Sequence, residues 1–157
     1  MTEEHAHQVS GLSPEVEAMT GVYALYWKLE ESIDEMGKEP DLTRQELHML
    51  IKLEQPKRMG RLAQDMLTVP STITATADTL EQGGYLTRER DPDDRRAWLL
   101  VLTPLGLETR QEIMVEAGQL FRDASGLTHS ETAEFARLAR KIKSNILISG
   151  IPEGLAK

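Results

Sequence analysis

Residues 80–103 read LEQGGYLTRERDPDDRRAWLLVLT, and this segment carries the strongest structural pattern in the chain. Gly83 and Gly84 predict a helix end, because glycine accepts the left-handed conformation that commonly follows a helix. The DPDD run at residues 91–94 is typical of a turn, since proline fixes φ and aspartate side chains bond to nearby backbone. The segment therefore predicts a helix end, a strand, a charged turn and a second strand.

The predicted hairpin is rich in positive charge. Four arginines lie on it: Arg88, Arg90, Arg95 and Arg96. Such a density of arginine beside a short helix indicates a part of the protein that contacts phosphate. Trp98 begins the apolar run of the second strand, and we expect it to pack the hairpin against the body of the protein. Thr103 and Pro104 then suit the start of a new helix, because proline at the first helical position loses no useful N–H.

Length and composition restrict the class of protein. The 157 residues, 39% hydrophobic and 28% charged, are typical of one globular domain. The absence of cysteine from the sequence excludes disulfides, thiolate metal sites and thiol redox switches. No apolar run approaches the ~20 residues that span a bilayer, and the polar start lacks a signal-peptide core. We therefore expect a cytoplasmic protein with no membrane partner, and we predict no cofactor and no metal site.

The net charge of −8 counts at first sight against a nucleic-acid partner. Its distribution changes that conclusion. Residues 1–56 hold 4 basic and 12 acidic residues, whereas residues 57–102 and 103–157 each hold 7 of either sign. Because the acidic charge is concentrated in the N-terminal third, the rest of the chain can still form a local basic surface that binds DNA.

Apolar residues at three- and four-residue spacing predict six helices around the hairpin. The helices are expected at 14 to about 37, from a capping box at 43–46 to Pro56, at about 59–66, from Pro70 to Gly83, from Pro104 to about 125, and from a capping box at 128–131 onward. Residues 1–12 are expected to be a disordered tail. Residues 13–157 then form a single domain.

Four helices, a hairpin and two long helices make a winged helix-turn-helix, a mainly α fold with a two-stranded β-wing. Here the sequence resembles the MarR family of bacterial transcriptional regulators. The pattern Asp94-x-Arg96, followed after five residues by Leu102-Thr103, is similar to that family's wing pattern. Leu62-Ala63 and the run from Leu80 to Arg88 also fit its helix-turn-helix. The motif resemblance covers residues 42–106, and the helix order extends it over the chain.

The resemblance implies that different parts of the chain have different roles. Residues 42–102 would form the winged head, and residues 13–38 and 103–149 would interleave with a second copy into a two-fold homodimer. Two recognition helices must lie about 34 Å apart to read a pseudo-palindrome in double-stranded DNA, which fits this arrangement. In the same reading, Asp94 pairs with Arg96 and holds the tip of the wing in shape.

The helix that starts at Pro70 is the candidate recognition helix. Hydroxyl groups can bond to base edges or phosphates, and threonine methyls can contact thymine methyls. With no Lys or Arg between residues 61 and 88, base reading would depend on these groups and on DNA shape, and we expect weak non-specific binding with strong salt dependence. Val69 at the N-cap supplies no side-chain acceptor. The predicted DNA contacts are Ser71, Thr72, Thr74, Ala75 and Thr76 of this helix, the four hairpin arginines, and Lys57, Arg58 and Arg61 toward the backbone.

The resemblance also implies a small-molecule pocket where the dimer helices meet the head. Its candidate lining is Tyr23, Tyr26 and Trp27 of the first helix with His48 of the second. Aromatic rings there could stack on a phenolic ligand, and His48 could hydrogen-bond its carboxylate or hydroxyl. Residues of this kind at helical spacing are also typical of a core or a dimer interface. The sequence leaves both interpretations open.

Three functions compete. The leading hypothesis is a dimeric, sequence-specific DNA-binding transcriptional regulator, a repressor relieved by a small ligand. The alternative is a winged-helix protein–protein interaction module that does not bind DNA, which the acidic charge would suit. An enzyme with His48 or His129 as base and Asp65 or Ser130 as helper has no supporting spacing and no nucleophile motif.

Overall fold

The structure is a computed structural model that describes residues 11–33 and 41–149. Its elements are α1 (Pro14–Ile33), α2 (Arg44–Lys52), β1 (Lys57–Arg58), α3 (Met59–Asp65), α4 (Pro70–Gln82), β2 (Leu86–Arg90), β3 (Trp98–Leu102), α5 (Pro104–Ser125) and α6 (His129–Ser149). This order confirms the predicted fold class, mainly helical with a β-wing. The predicted tail before residue 11 and the predicted end of the first helix near Gly37 lie outside the described residues.

The sheet has three strands rather than the two that the sequence predicts. Its order is β1-β3-β2, with antiparallel pairing throughout. β2 and β3 pair along their full length, so that Leu86 lies opposite Leu102 and Arg90 lies opposite Trp98. β1 contributes only two residues, which pair with Leu99 and Leu100 of β3. A two-residue strand has no alternating pattern in the sequence, because it forms through pairing with a distant segment.

Local signals set the helix boundaries. The Thr43 hydroxyl accepts from the N–H of Glu46 at 3.3 Å, and the Glu46 carboxylate accepts from the N–H of Thr43 at 2.7 Å. This is the predicted capping box of α2. After α4 the chain turns at Gly84, whose φ of +78° is the left-handed conformation that glycine tolerates. The predicted start of α2 and the predicted end of α4 are therefore confirmed.

The hydrophobic core lies in the head, between α2, α3, α4 and the sheet. α4 buries Ile73, Ala77 and Leu80, which are at most 1% exposed. The other buried apolar side chains are Leu47, Met49, Leu50, Leu53, Leu62, Ala63, Met66, Leu86, Leu100 and, from α5, Ile113. Burial of one face of α4 fixes the direction of the opposite face, which is presented to solvent.

The long helices carry apolar surface that the described chain does not cover. On α1, Met19, Val22, Tyr23, Tyr26 and Trp27 are between 49% and 68% exposed. Their three- and four-residue spacing forms one continuous row, which we call the apolar stripe of α1. α6 has no buried residue within its described length. Monomeric proteins rarely expose large contiguous apolar patches, so these faces are candidate contact surfaces. None of the described helices has the length and apolar character required to cross a membrane.

Candidate nucleic-acid interface

The outward face of α4 presents small polar groups near the start of the helix. Ser71, Thr74 and Ala75 are exposed, and Thr72 is half-buried. The Thr74 hydroxyl donates to the carbonyl of Pro70 at 3.1 Å and keeps its lone pairs available as acceptors. This surface could contact base edges through hydroxyl groups and methyl groups, with no long side chain to obstruct a close approach.

Thr76 does not belong to this outward face. It is 7% exposed, and its hydroxyl donates to the carbonyl of Thr72 at 2.8 Å. Thr76 follows Ile73 by three residues and therefore lies on the buried side of α4. The structure removes Thr76 from the predicted DNA contacts.

The tip of the wing carries two arginines whose side chains pair with none of the described residues. Arg95 and Arg96 are exposed, and neither guanidinium forms an ion pair with any residue in the described ranges. Asp94 contacts Arg96 through the backbone, because its carboxylate accepts from the Arg96 N–H at 3.1 Å. The predicted side-chain pair of Asp94 with Arg96 is therefore replaced by a turn contact. That leaves the Arg96 guanidinium available to an external anion.

Arg58, a predicted DNA-backbone contact, instead holds the wing turn. Its guanidinium lies 2.6 Å from the Asp91 carboxylate and 3.6 Å from that of Asp94. The backbone N–H of Asp93 and the Arg58 guanidinium both hold the pKa of Asp91 below its usual value. Sequence reasoning placed Asp91 in the turn, with wing arginines as its possible partners, and missed Arg58 because that partner is 33 residues away along the chain.

Arg88 joins the wing to the recognition helix. Its guanidinium lies 2.5 Å from the carboxylates of both Asp78 and Glu81 on α4, and its side chain is only 23% exposed. Because both donor groups are occupied, Arg88 is better placed to fix the angle between α4 and β2 than to bind phosphate. It therefore fixes the wing relative to α4, which carries candidate DNA-binding groups.

Arg90 is also engaged within the wing. Its guanidinium lies 3.8 Å from the centre of the Trp98 ring, and its Nη1 donates to the carbonyl of Arg95 at 3.0 Å. Trp98 is 40% exposed. Trp98 thus supports Arg90 on the surface of the wing by a cation–π contact. The prediction that Trp98 packs the wing against the body of the protein is therefore wrong.

The two basic candidates near α3 differ in exposure. Lys57 is buried and bonds to the carboxylates of Glu54 at 2.7 Å and Asp65 at 2.9 Å. Arg61 is 68% exposed and lies 3.2 Å from Asp65. Lys57 is therefore an internal structural charge, whereas Arg61 stays at the surface as a candidate backbone contact.

A separate cavity of about 340 Å³ lies between α1, α2 and α5. Of the predicted ligand residues, only His48 lines it; Tyr23, Tyr26 and Trp27 lie on the exposed stripe of α1. Sequence reasoning missed Arg44, which forms an ion pair with Glu30 across 14 residues, and it missed Phe121 of α5. The full lining is Leu29, Glu30, Arg44, Leu47, His48, Ile51, Ile113, Ala117, Leu120 and Phe121.

His48 is neutral at the pH of the cell. Burial lowers the pKa of His48 to about 4, and the charges of Lys52 and Lys143 act in the same direction. A neutral imidazole has one donor and one acceptor nitrogen. His48 can therefore bond to a hydroxyl or an acid group in the cavity without bringing a charge of its own.

The lowered pKa of His48 makes the free energy of unfolding depend on pH. The unfolded chain has a His48 pKa near 6.5 and binds a proton between that value and about 4, where the folded state does not. The contribution of neutral His48 to the free energy of unfolding is complete above pH 6.5 and is lost as the pH falls toward 4. From the two pKa values we expect the free energy of unfolding to be about 2 kcal/mol lower at about pH 5 than at about pH 7.5.

Urea unfolding at both pH values measures this difference. His48→Gln cannot titrate at this position and is expected to lose most of it. His129→Gln, at the exposed start of α6, is the matched control and is expected to retain it. An equal pH dependence in His48→Gln and the unaltered chain would mean that the decrease at low pH arises elsewhere.

The arrangement of these groups defines a class of protein. Three features together make a winged helix-turn-helix protein. They are a recognition helix with an open polar face, a wing tipped by two arginines, and long helices with apolar faces that the described part of the chain leaves uncovered. The MarR family model matches residues 42–98 of the chain. Over this head the chain is similar to the MarR family of transcriptional regulators, as its wing and helix-turn-helix motifs predicted.

Known relatives are similar to this chain over most of its length. The HTH-type transcriptional regulator YkoM of Bacillus subtilis (strain 168) is 29% identical over 134 residues, covering 81% of this chain and 87% of that protein. The HTH-type transcriptional repressor MdtR of the same organism is 28% identical over 122 residues, covering 76% and 79%. A MarR family regulator from Listeria monocytogenes, crystallised with a 26mer DNA, superposes with a TM-score of 0.69 at 21% identity, covering 84% and 89%. This last likeness supports the fold.

Proposed function

We propose that the chain is a homodimeric transcriptional repressor that binds a pseudo-palindromic operator in double-stranded DNA and is modulated by a small ligand. The observation that carries the proposal is the pairing of two surfaces on one head. The outward face of α4 offers small polar contacts, and the wing tip offers Arg95 and Arg96, whose guanidinium groups have no ion-pair partner in residues 11–33 and 41–149. The first suits base edges in a major groove, and the second suits the adjacent minor groove or its phosphates.

Two relatives support the DNA-binding and repressor parts of the proposal. The Listeria regulator with the same fold was crystallised with a 26mer DNA, and MdtR is named a repressor. Three further arginines of the head support this surface, since Arg58, Arg88 and Arg90 each have a partner within the head. The DNA-facing charge is therefore small, which agrees with weak non-specific binding and a measurable dependence on salt.

The homodimer is supported by the apolar stripe of α1 and by the exposed face of α6. Leu138 and Ile142 of α6 are 42% and 57% exposed, and Ile148 is 86% exposed. These side chains and the stripe give a second copy two long apolar helices against which to pack. A two-fold arrangement would also hold two recognition helices at the separation, about 34 Å, of successive major grooves.

The ligand proposal rests on the cavity beside His48. Its volume of about 340 Å³ fits a small organic molecule, and its lining is mostly apolar. Phe121 could stack on an aromatic ring, while neutral His48 could bond to a phenolic hydroxyl. Because α5 belongs to the long helices and α2 to the head, a ligand here would change the angle between them and so the spacing of the two heads.

One observation favours a second function, a protein-interaction module. α4 contains no Lys or Arg, and the chain carries a net charge of −8. A basic protein partner would suit this surface better than a polyanion. The experiment that tests DNA binding also separates these two functions.

The test is a mobility shift with the intergenic DNA beside the protein's own gene. We expect specific binding at least about 10³-fold tighter than to random DNA, with a complex of two chains per site. Raising the salt should weaken binding along a straight log–log line, because phosphate contacts release counterions. Equal binding to both DNAs at low salt would contradict the operator proposal and favour the interaction module.

A further inference from the structure

A second cavity lies on the side of the head where α6 crosses it. It has a volume of about 610 Å³ and lies between the end of α2, β1, α3 and α6. Its charged lining consists of Lys52, Glu54, Lys57, Arg58, Arg61, Asp65 and Lys143. We call it the basic cleft, because five of these seven groups are cations. It is distinct from the cavity beside His48, and only Ile51 lines both.

The two carboxylates of the basic cleft are already paired with cations. Lys57 bonds to Glu54 at 2.7 Å and to Asp65 at 2.9 Å, and Arg61 lies 3.2 Å from Asp65. Arg58 is paired with the wing aspartates Asp91 and Asp94. Neither Lys52 nor Lys143 has a carboxylate within ion-pair distance in residues 11–33 and 41–149. Two ammonium groups are therefore left without a counter-charge in direct contact.

These two lysines line the same cleft although they come from different parts of the fold. Lys143 of α6 donates from its ammonium to the backbone carbonyl of Asp65 at 2.8 Å, which fixes it at the cleft. Burial and the charge of Lys52 lower the pKa of Lys143, while the Asp65 carboxylate acts in the opposite direction, and both lysines act on the pKa of His48. The positive charges thus repel one another in a partly desolvated place, and an anion between them would relieve that repulsion.

We propose that the basic cleft binds a small molecule bearing a phosphate group, held between Lys52 of α2 and Lys143 of α6. A phosphate dianion matches the two lysine charges that have no ion-pair partner among the described residues, and its oxygens can accept charge-assisted hydrogen bonds from both ammonium groups. The cleft is larger than a phosphate ion alone, which leaves room for an organic portion beside Ile51 and Leu99. Since Lys143 lies on α6 and Lys52 on the head, the bound anion would fasten the long helix to the head.

The test is a titration without DNA, so that it is independent of the proposed operator binding. Inorganic phosphate and glycerol 3-phosphate are added at constant ionic strength, with glycerol as the uncharged control, and amide chemical shifts are followed by NMR. We expect saturable shifts at residues around Lys52 and Lys143 with both phosphates and none with glycerol. Tighter binding of glycerol 3-phosphate would identify the organic phosphate as the better ligand.

Matched variants assign the site. Lys52→Gln and Lys143→Gln are each expected to weaken phosphate binding about tenfold, the effect of one charge-assisted hydrogen bond. Lys141→Gln removes the same charge from an exposed position on α6 and is expected to leave binding unchanged. Shifts that do not saturate, or an equal weakening in all three variants, would overturn the proposal. The circular dichroism spectrum shows that each variant is folded.

Discussion

Replacing Tyr23 and Trp27 with glutamate is expected to convert the dimer into monomers and to lower operator affinity about 10³-fold. The two side chains are 59% and 68% exposed on the apolar stripe of α1. In the proposed dimer they are buried against the second copy, where two unpaired carboxylates would be strongly unfavourable. A monomer keeps one recognition helix, so it loses the second half-site and the gain in affinity that comes from linking two heads.

Analytical ultracentrifugation and the mobility shift measure the two parts of this expectation separately. Lys28→Glu is the matched control, because it changes the net charge by the same amount from an exposed position on another side of α1. We expect it to leave the dimer intact. Tyr23→Ala with Trp27→Ala removes the same apolar area without adding charge, and it is expected to weaken association less. A dimer that survives both double variants would place the interface elsewhere.

The parts of the fold that the sequence predicted are those with a local chemical cause. The capping box of Thr43 and Glu46 forms within four residues, and Gly84 takes its left-handed conformation at the end of α4. The buried stripe of α4 follows directly from the spacing of Ile73, Ala77 and Leu80. In each case the signal and its structural consequence lie on the same segment.

The parts that could not be predicted depend on distant partners. β1 exists because it pairs with β3 some forty residues later, and Arg58 is fixed by Asp91 across 33 residues. The arginines of the wing are alike in sequence, yet Arg88 is held by α4 while Arg95 and Arg96 have no ion-pair partner among the described residues. Sequence reasoning located the charged wing correctly, but only tertiary contacts separate its positioning groups from its candidate DNA-binding groups.

Because Arg95 and Arg96 are the candidate DNA-binding arginines of the wing, replacing them is the second change with a large expected effect. Arg95→Ala combined with Arg96→Ala is expected to reduce operator affinity about 10²-fold at moderate salt, because the variant removes two charge-assisted hydrogen-bonding groups from the DNA-facing side of each head. Both side chains are exposed and unpaired within the described residues, so their removal leaves no internal charge unsatisfied. The free energy of unfolding should therefore stay the same, which distinguishes a DNA-binding role from a structural one.

The salt dependence of the mobility shift identifies how the wing binds DNA. If the arginines bind phosphate, the log–log slope should fall by about 0.9 for each phosphate that is no longer neutralised, and the affinity for random DNA should fall as well. Arg122→Ala with Arg140→Ala removes the same charge from exposed positions on α5 and α6 and should leave the slope almost unchanged. An unaltered slope with reduced operator affinity would instead mean that the wing reads base edges or groove shape. Unchanged binding in the Arg95–Arg96 variant would contradict the assignment of the wing to DNA.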